Sequence, residues 1–232
     1  MTAPAFDALA RRYGAGYKWL ATAAVMAGCI ATVLSSTIVN VAMPDIMGEF
    51  GMGQDQVQWL STAFLASMTA SMLATDWTLH TFGVRRAYMG AMAAFVAASV
   101  MGCMSPGVEL LILARSIQGA AAGLVQPLAM VVVFSVFGAE KRGMAMGVFG
   151  LGVVLAPALG PTVGGLLIDN YSWRYVFLVG PPFCALSMAL ALTFLPGRTE
   201  NAQGRPFDSA GFALLCLAIG TLLAGISSGQ RE

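Results

Sequence analysis

Long uncharged stretches alternate along the chain with short segments that hold nearly all of its charged residues. Six of these stretches contain no Asp, Glu, Lys or Arg, and one contains a single charge, Arg115. A helix needs about 20 mostly apolar residues to cross the hydrocarbon core of a bilayer, and its backbone amides must be hydrogen-bonded internally. The pattern therefore predicts seven transmembrane helices, at residues 19–43, 57–75, 87–108, 110–139, 143–168, 175–197 and 209–230.

The composition of the 232 residues agrees with this interpretation and excludes several classes of protein. Hydrophobic residues make up 58% of the chain and charged residues 10%, whereas an ordinary soluble domain carries about 25% charged residues. A soluble cytosolic domain is therefore excluded. The net charge of +1 offers no basic surface for nucleic acid. With one histidine, and four cysteines that fall in four different spans, we expect neither a metal site nor a cofactor.

The distribution of Lys and Arg predicts the orientation of the chain in the membrane. Short cytoplasmic loops carry an excess of these residues. With the N-terminus in the cytoplasm, the outer segments contain only Arg174 and Arg231, and the C-terminus of this chain lies outside. The inner segments then contain nine basic residues, which are Arg11, Arg12, Lys18, Arg85, Arg86, Lys141, Arg142, Arg198 and Arg205.

The connections between the spans suggest how the chain is divided. Residues 44–55 are predicted to form an outer turn, and residues 76–86 an inner loop. Residues 196–208 form the longest inner connection, which is polar and rich in turn-forming residues. The predicted segments are a cytoplasmic N-terminal segment (1–18), a six-helix transmembrane bundle (19–195), a cytoplasmic linker (196–208), and a seventh transmembrane helix with a truncated end (209–232).

Small residues and prolines within the spans indicate where helices pack closely or bend. Lipid provides little hydrophobic drive for helix association, so small residues at four-residue spacing favour close helix packing. We expect simple packing at Gly119 and Gly123, and at Gly143 and Gly147. The fifth span contains Pro157, and four residues later a second proline. Proline kinks a helix, so this span is predicted to be a pliable, moving helix, with a merely structural kink as the alternative.

Polar side chains recur at helical spacing in three of the spans. Residues three or four positions apart share a helix face, and polar groups in hydrocarbon usually face a bundle interior or a wet cavity. A shared polar cleft is therefore predicted as a pathway for substrate or ions, with hydrogen bonding between helices as the alternative for the Ser, Thr and Asn residues. The three faces consist of Thr32, Ser36 and Asn40, of Gln58, Thr62 and Thr69, and of Arg115, Gln118, Ala122 and Gln126.

Arg115 requires a separate explanation because a charge within a span is unfavourable. It lies about six residues, or about 9 Å, from the predicted outer end of its helix. That depth permits partial snorkelling, so a membrane anchor is the alternative to a functional role. Because no carboxylate lies deep in any span, the expected partners of Arg115 are Asn40, Gln118, carbonyl groups freed by the kinked fifth helix, or a substrate anion.

Five sequence motifs resemble those of one transporter family. The segment LAPALGPTVGG (155–165) resembles the fifth-helix antiporter motif of major facilitator superfamily exporters, and LILARSIQGAAAG (111–123) is similar to their fourth-helix motif. The segment STIVNVAMP (36–44) resembles the first-helix signature of the fourteen-span EmrB/QacA-type drug exporters. The segments SWRYVFLVGPP (172–182) and PFDSAGFALL (206–215) fit the same branch.

The resemblance implies an all-α, polytopic membrane protein with a six-helix N-terminal major-facilitator bundle plus a seventh transmembrane helix. It implies the N-terminal portion of an ion-coupled exporter of drugs or other small amphipathic compounds, in a bacterial inner membrane, with protons as the coupling ion. The partners would be the lipid bilayer, the substrate, and a missing C-terminal half or a second copy. The gating residues implied are Asp76, Gly83, Arg85, Arg86, Gly119, Pro157, Gly160, Pro161, Gly164 and Gly165.

The chain departs from the family pattern at three places. Ser35 stands where the first helix usually has an aspartate. Asp76 and His80 stand where the loop motif after the second span usually has glycine and aspartate, and Gly180 stands in place of an asparagine. The first two departures bear on proton coupling and gating, and none of the three bears on the fold.

Two alternatives to an exporter differ from it in function. An intramembrane protease would need a serine and histidine, or two aspartates, within the spans, and the spans contain neither arrangement, so the chain is not expected to be an enzyme. The second alternative is a truncated or half-length membrane protein that transports nothing alone and acts only with a complementary C-terminal half or as a dimer.

Overall fold

A computed structural model describes residues 3–197, 207–214, 216–218 and 221. This part of the chain is helical and contains no β-strand. Three short 3₁₀ segments, Gly14–Gly16, Ala139–Lys141 and Trp173–Leu178, join some of the helices. Up to residue 197 the helices are α1 (Ala3–Tyr13), α2 (Tyr17–Phe50), α3 (Gln54–Val57), α4 (Trp59–Leu73), α5 (Thr75–Phe82), α6 (Val84–Cys103), α7 (Val108–Val136), α8 (Arg142–Asn170) and α9 (Gly180–Phe194).

Six of the seven predicted spans correspond to helices of the structure. Within the described residues, five helical segments are long and apolar enough to cross a membrane. They are Phe6–Phe50, Val84–Cys103, Val108–Val136, Gly143–Asn170 and Trp173–Phe194. The predicted second span is the 15-residue helix α4, which α5 continues after Ala74. Residues 209–214 and 216–218 of the predicted seventh span are helical, and most of its remainder lies outside the described residues.

Two predicted connections are shorter than expected. The helix α2 continues through Pro44 to Phe50 and ends at Gly51, whose φ of +63° is left-handed, so the outer turn is confined to the residues before α3. The predicted inner loop is largely the helix α5, and the chain turns only at Gly83, where φ is +77°. In both places a helix extends into polar sequence, since charged residues are compatible with helix once the chain leaves the hydrocarbon.

The long helix α2 holds the bundle together, since it contacts α7, α8 and α9, while α7 contacts α4 and α6. A buried polar triad adds to this packing. The Tyr88 hydroxyl on α6 lies 2.7 Å from Ser187 Oγ on α9, and Ser187 donates to the carbonyl oxygen of Ala24 on α2 at 2.6 Å. The triad fits only because α2 has glycine at position 28, where a methyl group would overlap the Tyr88 hydroxyl.

The glycine pairs differ in their packing. A methyl group at Gly119 or Gly123 would overlap the carbonyl oxygens of Phe64 and Met68 on α4, so close helix packing at this pair is confirmed. The prediction for Gly143 and Gly147 is wrong, because nothing lies within 4 Å of the position of an added methyl group at either residue. Their spacing matched the pattern, but their face of α8 meets no other described helix.

Candidate functional site

Arg115 lies in the interior of the bundle, between α2, α4 and α7. Its side chain is 0% exposed. Its Nε donates to the carbonyl oxygen of Leu60 on α4 at 3.3 Å, and its Nη1 donates to the carbonyl oxygen of Ser35 on α2 at 3.2 Å. Nη1 also donates to Gln118 Oε1 at 3.0 Å and to Ser35 Oγ at 3.4 Å. The guanidinium therefore joins three helices through neutral oxygen atoms.

The charge of Arg115 is not balanced by a carboxylate within the described residues, since neither of the ion pairs formed there includes it. Its Cζ lies 4.2 Å from the centre of the Phe64 ring, in a cation–π contact. Its Nη2 is buried without a hydrogen-bond partner. A buried charge without a counterion is unfavourable, and charged residues kept within membrane spans usually serve function. Arg115 is therefore the centre of the candidate site.

Gln118 extends this network to a fourth helix. Its Nε2 donates to Ser99 Oγ on α6 at 2.8 Å, and Ser99 in turn donates to the carbonyl oxygen of Phe95 at 2.8 Å. Both Gln118 and Ser99 are 0% exposed. Sequence reasoning missed Ser99, although it is the only hydroxyl-bearing residue between residues 89 and 104, and that isolation was the available signal.

The expected partners of Arg115 are confirmed only in part. Gln118 is a hydrogen-bond partner, as predicted. Asn40 is not, because it accepts a hydrogen bond from Ser61 Oγ on α4 at 3.0 Å. The carbonyl groups that bind Arg115 belong to α2 and α4, and not to the proline-containing α8. The full burial of the guanidinium also argues against a snorkelling anchor, which would place that group in the interface.

The other predicted pathway residues are not gathered into one cluster. Ser36 donates to the carbonyl oxygen of Val33 in its own helix, at 2.6 Å, as hydroxyl groups within helices commonly do. Gln58, which lies between α3 and α4, and Thr62 on α4 are exposed, and Gln126 is half-buried on α7. Their place on a substrate pathway stays a prediction.

Four of the residues assigned to gating lie on α5, on α6 or at the junction between them. Asp76 Oδ1 lies 3.3 Å from His80 Nε2, one turn along α5, and the Asp76 side chain is 77% exposed. Gly83 allows the sharp turn between the helices, because its φ of +77° is unfavourable for other residues. Arg85 and Arg86 follow in the first turn of α6, the first half-buried and the second exposed.

The remaining gating residues lie along α8, apart from Gly119 on α7. Gly160 and Gly164 pack against α2, where added methyl groups would meet Thr37 and Ile38. Pro157 and Pro161 lie inside the helix. Gly165 faces open space. The glycines thus mark the side of α8 that contacts α2, and the pliability of α8 stays a prediction.

The structure contains a polar cluster that sequence reasoning did not identify, formed by Glu49, Ser105, Trp173 and Arg174. Arg174 donates to Glu49 Oε1 from Nη1 at 2.9 Å and to the carbonyl oxygen of Ser105 from Nη2 at 3.1 Å. The Trp173 indole donates to Glu49 Oε2 at 2.5 Å. This cluster joins the end of α2 to the connection between α6 and α7, which contains Ser105, and to the connection between α8 and α9, which contains Trp173 and Arg174. The available signal was the placement of Glu49 and Arg174 in predicted outer segments.

The chain resembles known protein families and known proteins over most of its length. Residues 25–228 match the Major Facilitator Superfamily. The chain is 34% identical over 88% of its length to the uncharacterized MFS-type transporter YcnB of Bacillus subtilis. It is 33% identical over 92% and 86% of its length to the multidrug export proteins EmrB of Haemophilus influenzae and Escherichia coli. The chain spans only 39–43% of the length of these relatives.

Solved structures give the same result for the fold. A crystal structure of the peptide transporter POT in complex with sulfate matches 91% of this chain and 45% of its own, with a TM-score of 0.68. The sequence identity is 16%, so this similarity concerns the fold alone. Together with the apolar helices long enough to cross a bilayer, these matches show that the chain is a multi-pass membrane protein that belongs to the Major Facilitator Superfamily.

Proposed function

We propose that the chain forms the N-terminal bundle of an ion-coupled exporter of drugs or other small amphipathic compounds. The relatives named as multidrug export proteins support the substrate class. The observation that carries the proposal is the fully buried Arg115, joined by hydrogen bonds to α2 and α4. A small movement of α2 or α4 would break these hydrogen bonds. The hydrogen bonding of Arg115 therefore depends on the positions of the two helices.

Transport would proceed by alternating access, in which one bundle rocks against another around a site near the middle of the membrane. This chain supplies one six-helix bundle, and the matched relatives are more than twice its length. A complementary C-terminal bundle, or a second copy, would therefore complete the transporter. On this proposal residues 1–232 alone transport nothing.

The proposed orientation places the N-terminus and the α5–α6 junction in the cytoplasm of a bacterium, and the Glu49–Arg174 cluster outside. The bias of basic residues, Arg85 and Arg86 among them, towards the cytoplasmic side supports this orientation. No carboxylate lies deep within the described spans, so we assign proton coupling to Asp76 or to the complementary half.

Dye export by everted membrane vesicles tests this proposal. The complete natural protein that carries this chain should accumulate an amphipathic dye when a proton gradient is imposed, and a protonophore should abolish the accumulation. Residues 1–232, expressed to the same level, should accumulate none. Export that is insensitive to the protonophore would contradict ion coupling, and export by residues 1–232 alone would contradict the requirement for a complementary bundle.

A further inference from the structure

We propose that the transporter is selective for anionic amphiphiles, such as carboxylated or sulfonated aromatic compounds, and that Ser35 sets this selectivity by leaving the charge of Arg115 uncompensated. This inference rests on the proposed export function and specifies its substrate class. It rests on three observations, which are the neutral surroundings of Arg115, the unpartnered Nη2, and the polar surface next to them.

The first observation is the sign of the charge at the site. Each hydrogen-bond acceptor of Arg115 is a neutral oxygen atom, from Ser35, Leu60 or Gln118. The carboxylates of the bundle lie near helix ends, as Glu109 does in the first turn of α7. Glu109 is six residues from Arg115, or about 9 Å along the helix. The site therefore carries a net positive charge within the low-dielectric part of the bundle.

The second observation is the unpartnered Nη2. It is buried, in a side chain that is 0% exposed, and it has no hydrogen-bond acceptor. A buried donor without an acceptor is unfavourable by about 1–3 kcal/mol, and more when it is charged, so an anionic group that reached it would be bound strongly. The nitrogen is enclosed in this conformation, and direct contact requires α2 and α4 to separate.

The third observation is that the residues next to Ser35 on α2 and to Leu60 on α4 are polar and partly exposed. Ser35 and Leu60, which bind Arg115, precede Ser36 and Ser61, whose side chains are partly exposed. Ser61 donates to the exposed Asn40 across the gap between α4 and α2. Because these neighbouring groups are neutral, the uncompensated charge of Arg115 produces a positive potential at them, which attracts anions and repels cations.

Ser35 determines this property because its side chain is hydrogen-bonded to the guanidinium. Its Oγ lies 3.4 Å from Arg115 Nη1, within the distance at which a carboxylate would form an ion pair. An acidic residue at position 35 would neutralise Arg115 and remove the positive potential. An amide of the same size would not.

The experiment compares Ser35→Asp with Ser35→Asn in the complete natural protein, reconstituted in proteoliposomes. Uptake of an anionic fluorescein-type dye and of cationic ethidium is measured under the same proton gradient. We expect the wild type and Ser35→Asn to prefer the anion. Ser35→Asp should lower the ratio of anion to cation transport by about tenfold or more, the effect roughly expected of one unit charge near the ligand at intermediate dielectric.

The outcomes separate this inference from the proposed function. Transport of the cation at least as fast as the anion by the wild type would overturn the inference and leave the export function intact. The inference is also overturned if Ser35→Asp and Ser35→Asn change the ratio equally, since size rather than charge would then be responsible. Transport of neither dye by the wild type would contradict the export function itself, and the inference with it.

Discussion

Replacing Gly119 with alanine perturbs both the packing of the bundle and the site of Arg115. The added methyl group would lie 2.8 Å from the carbonyl carbon and 2.9 Å from the Cα of Phe64, and would overlap its carbonyl oxygen. Carbon atoms in contact are about 3.5–4.0 Å apart, so α4 must move away by about 1 Å. The obstacle is backbone, which cannot rotate aside, and we expect a destabilisation of about 1–3 kcal/mol.

The same movement would weaken the hydrogen bonds of Arg115. The carbonyl oxygen of Leu60 already lies 3.3 Å from Arg115 Nε, and a further 1 Å would break that hydrogen bond. The ring of Phe64, 4.2 Å from Arg115 Cζ, would move with the same helix. Gly119→Ala is therefore expected to reduce transport by the complete protein as well as stability.

Thermal unfolding of the purified chain in detergent measures the effect on stability, with Gly147→Ala as the matched control. Gly147 lies within α8, and nothing lies within 4 Å of the position of its added methyl group, so the same substitution there gains helix propensity without overlap. We expect the midpoint of Gly119→Ala to fall by about 2–12 °C and that of Gly147→Ala to stay or rise. Equal midpoints for the two variants would refute the proposed contact between α7 and α4.

Two further predictions concern the ends of the helices. Arg174→Lys should lower the free energy of unfolding by only about 0–1 kcal/mol, because the ion pair with Glu49 is partly exposed. A loss as large as that of Gly119→Ala would show that the Glu49–Arg174 cluster is a main stabilising contact. Asp76→Asn should leave the unfolding midpoint nearly unchanged, since this side chain is 77% exposed. It should slow transport more than Asp55→Asn, which changes an exposed carboxylate on α3. Equal transport by these two variants would show that Asp76 takes no part in proton coupling.

The helices could be predicted because their uncharged length is set by the thickness of the bilayer. Their ends could not, since α2 continues past Asp45 and Glu49 to Phe50. A hydrogen-bond partner on the same helix could also be predicted, because Gln118 lies three residues from Arg115 on α7. The contacts of Arg115 with Ser35 and Leu60 connect residues that are 80 and 55 positions apart. A single sequence does not show which residues of two distant helices lie side by side. The spacing of Gly143 and Gly147 did not reveal which face of α8 meets another helix.

We expect the hydrogen bonds of Arg115 to α2 and α4 to be needed for transport. Lysine at this position keeps the positive charge, but its single nitrogen cannot replace a planar group that contacts Leu60 through Nε and Ser35 through Nη1. Alanine removes the charge and its unfavourable burial, and should therefore insert into the membrane at least as well as arginine.

The most direct measurement is therefore dye export by the complete natural protein with Arg115→Lys or Arg115→Ala, at membrane levels matched to the wild type. We predict that Arg115→Lys is inserted normally but loses most of its transport, and that Arg115→Ala is inserted and inactive. Wild-type export rates in both variants would show that Arg115 is only an anchor, and would contradict its role at the site.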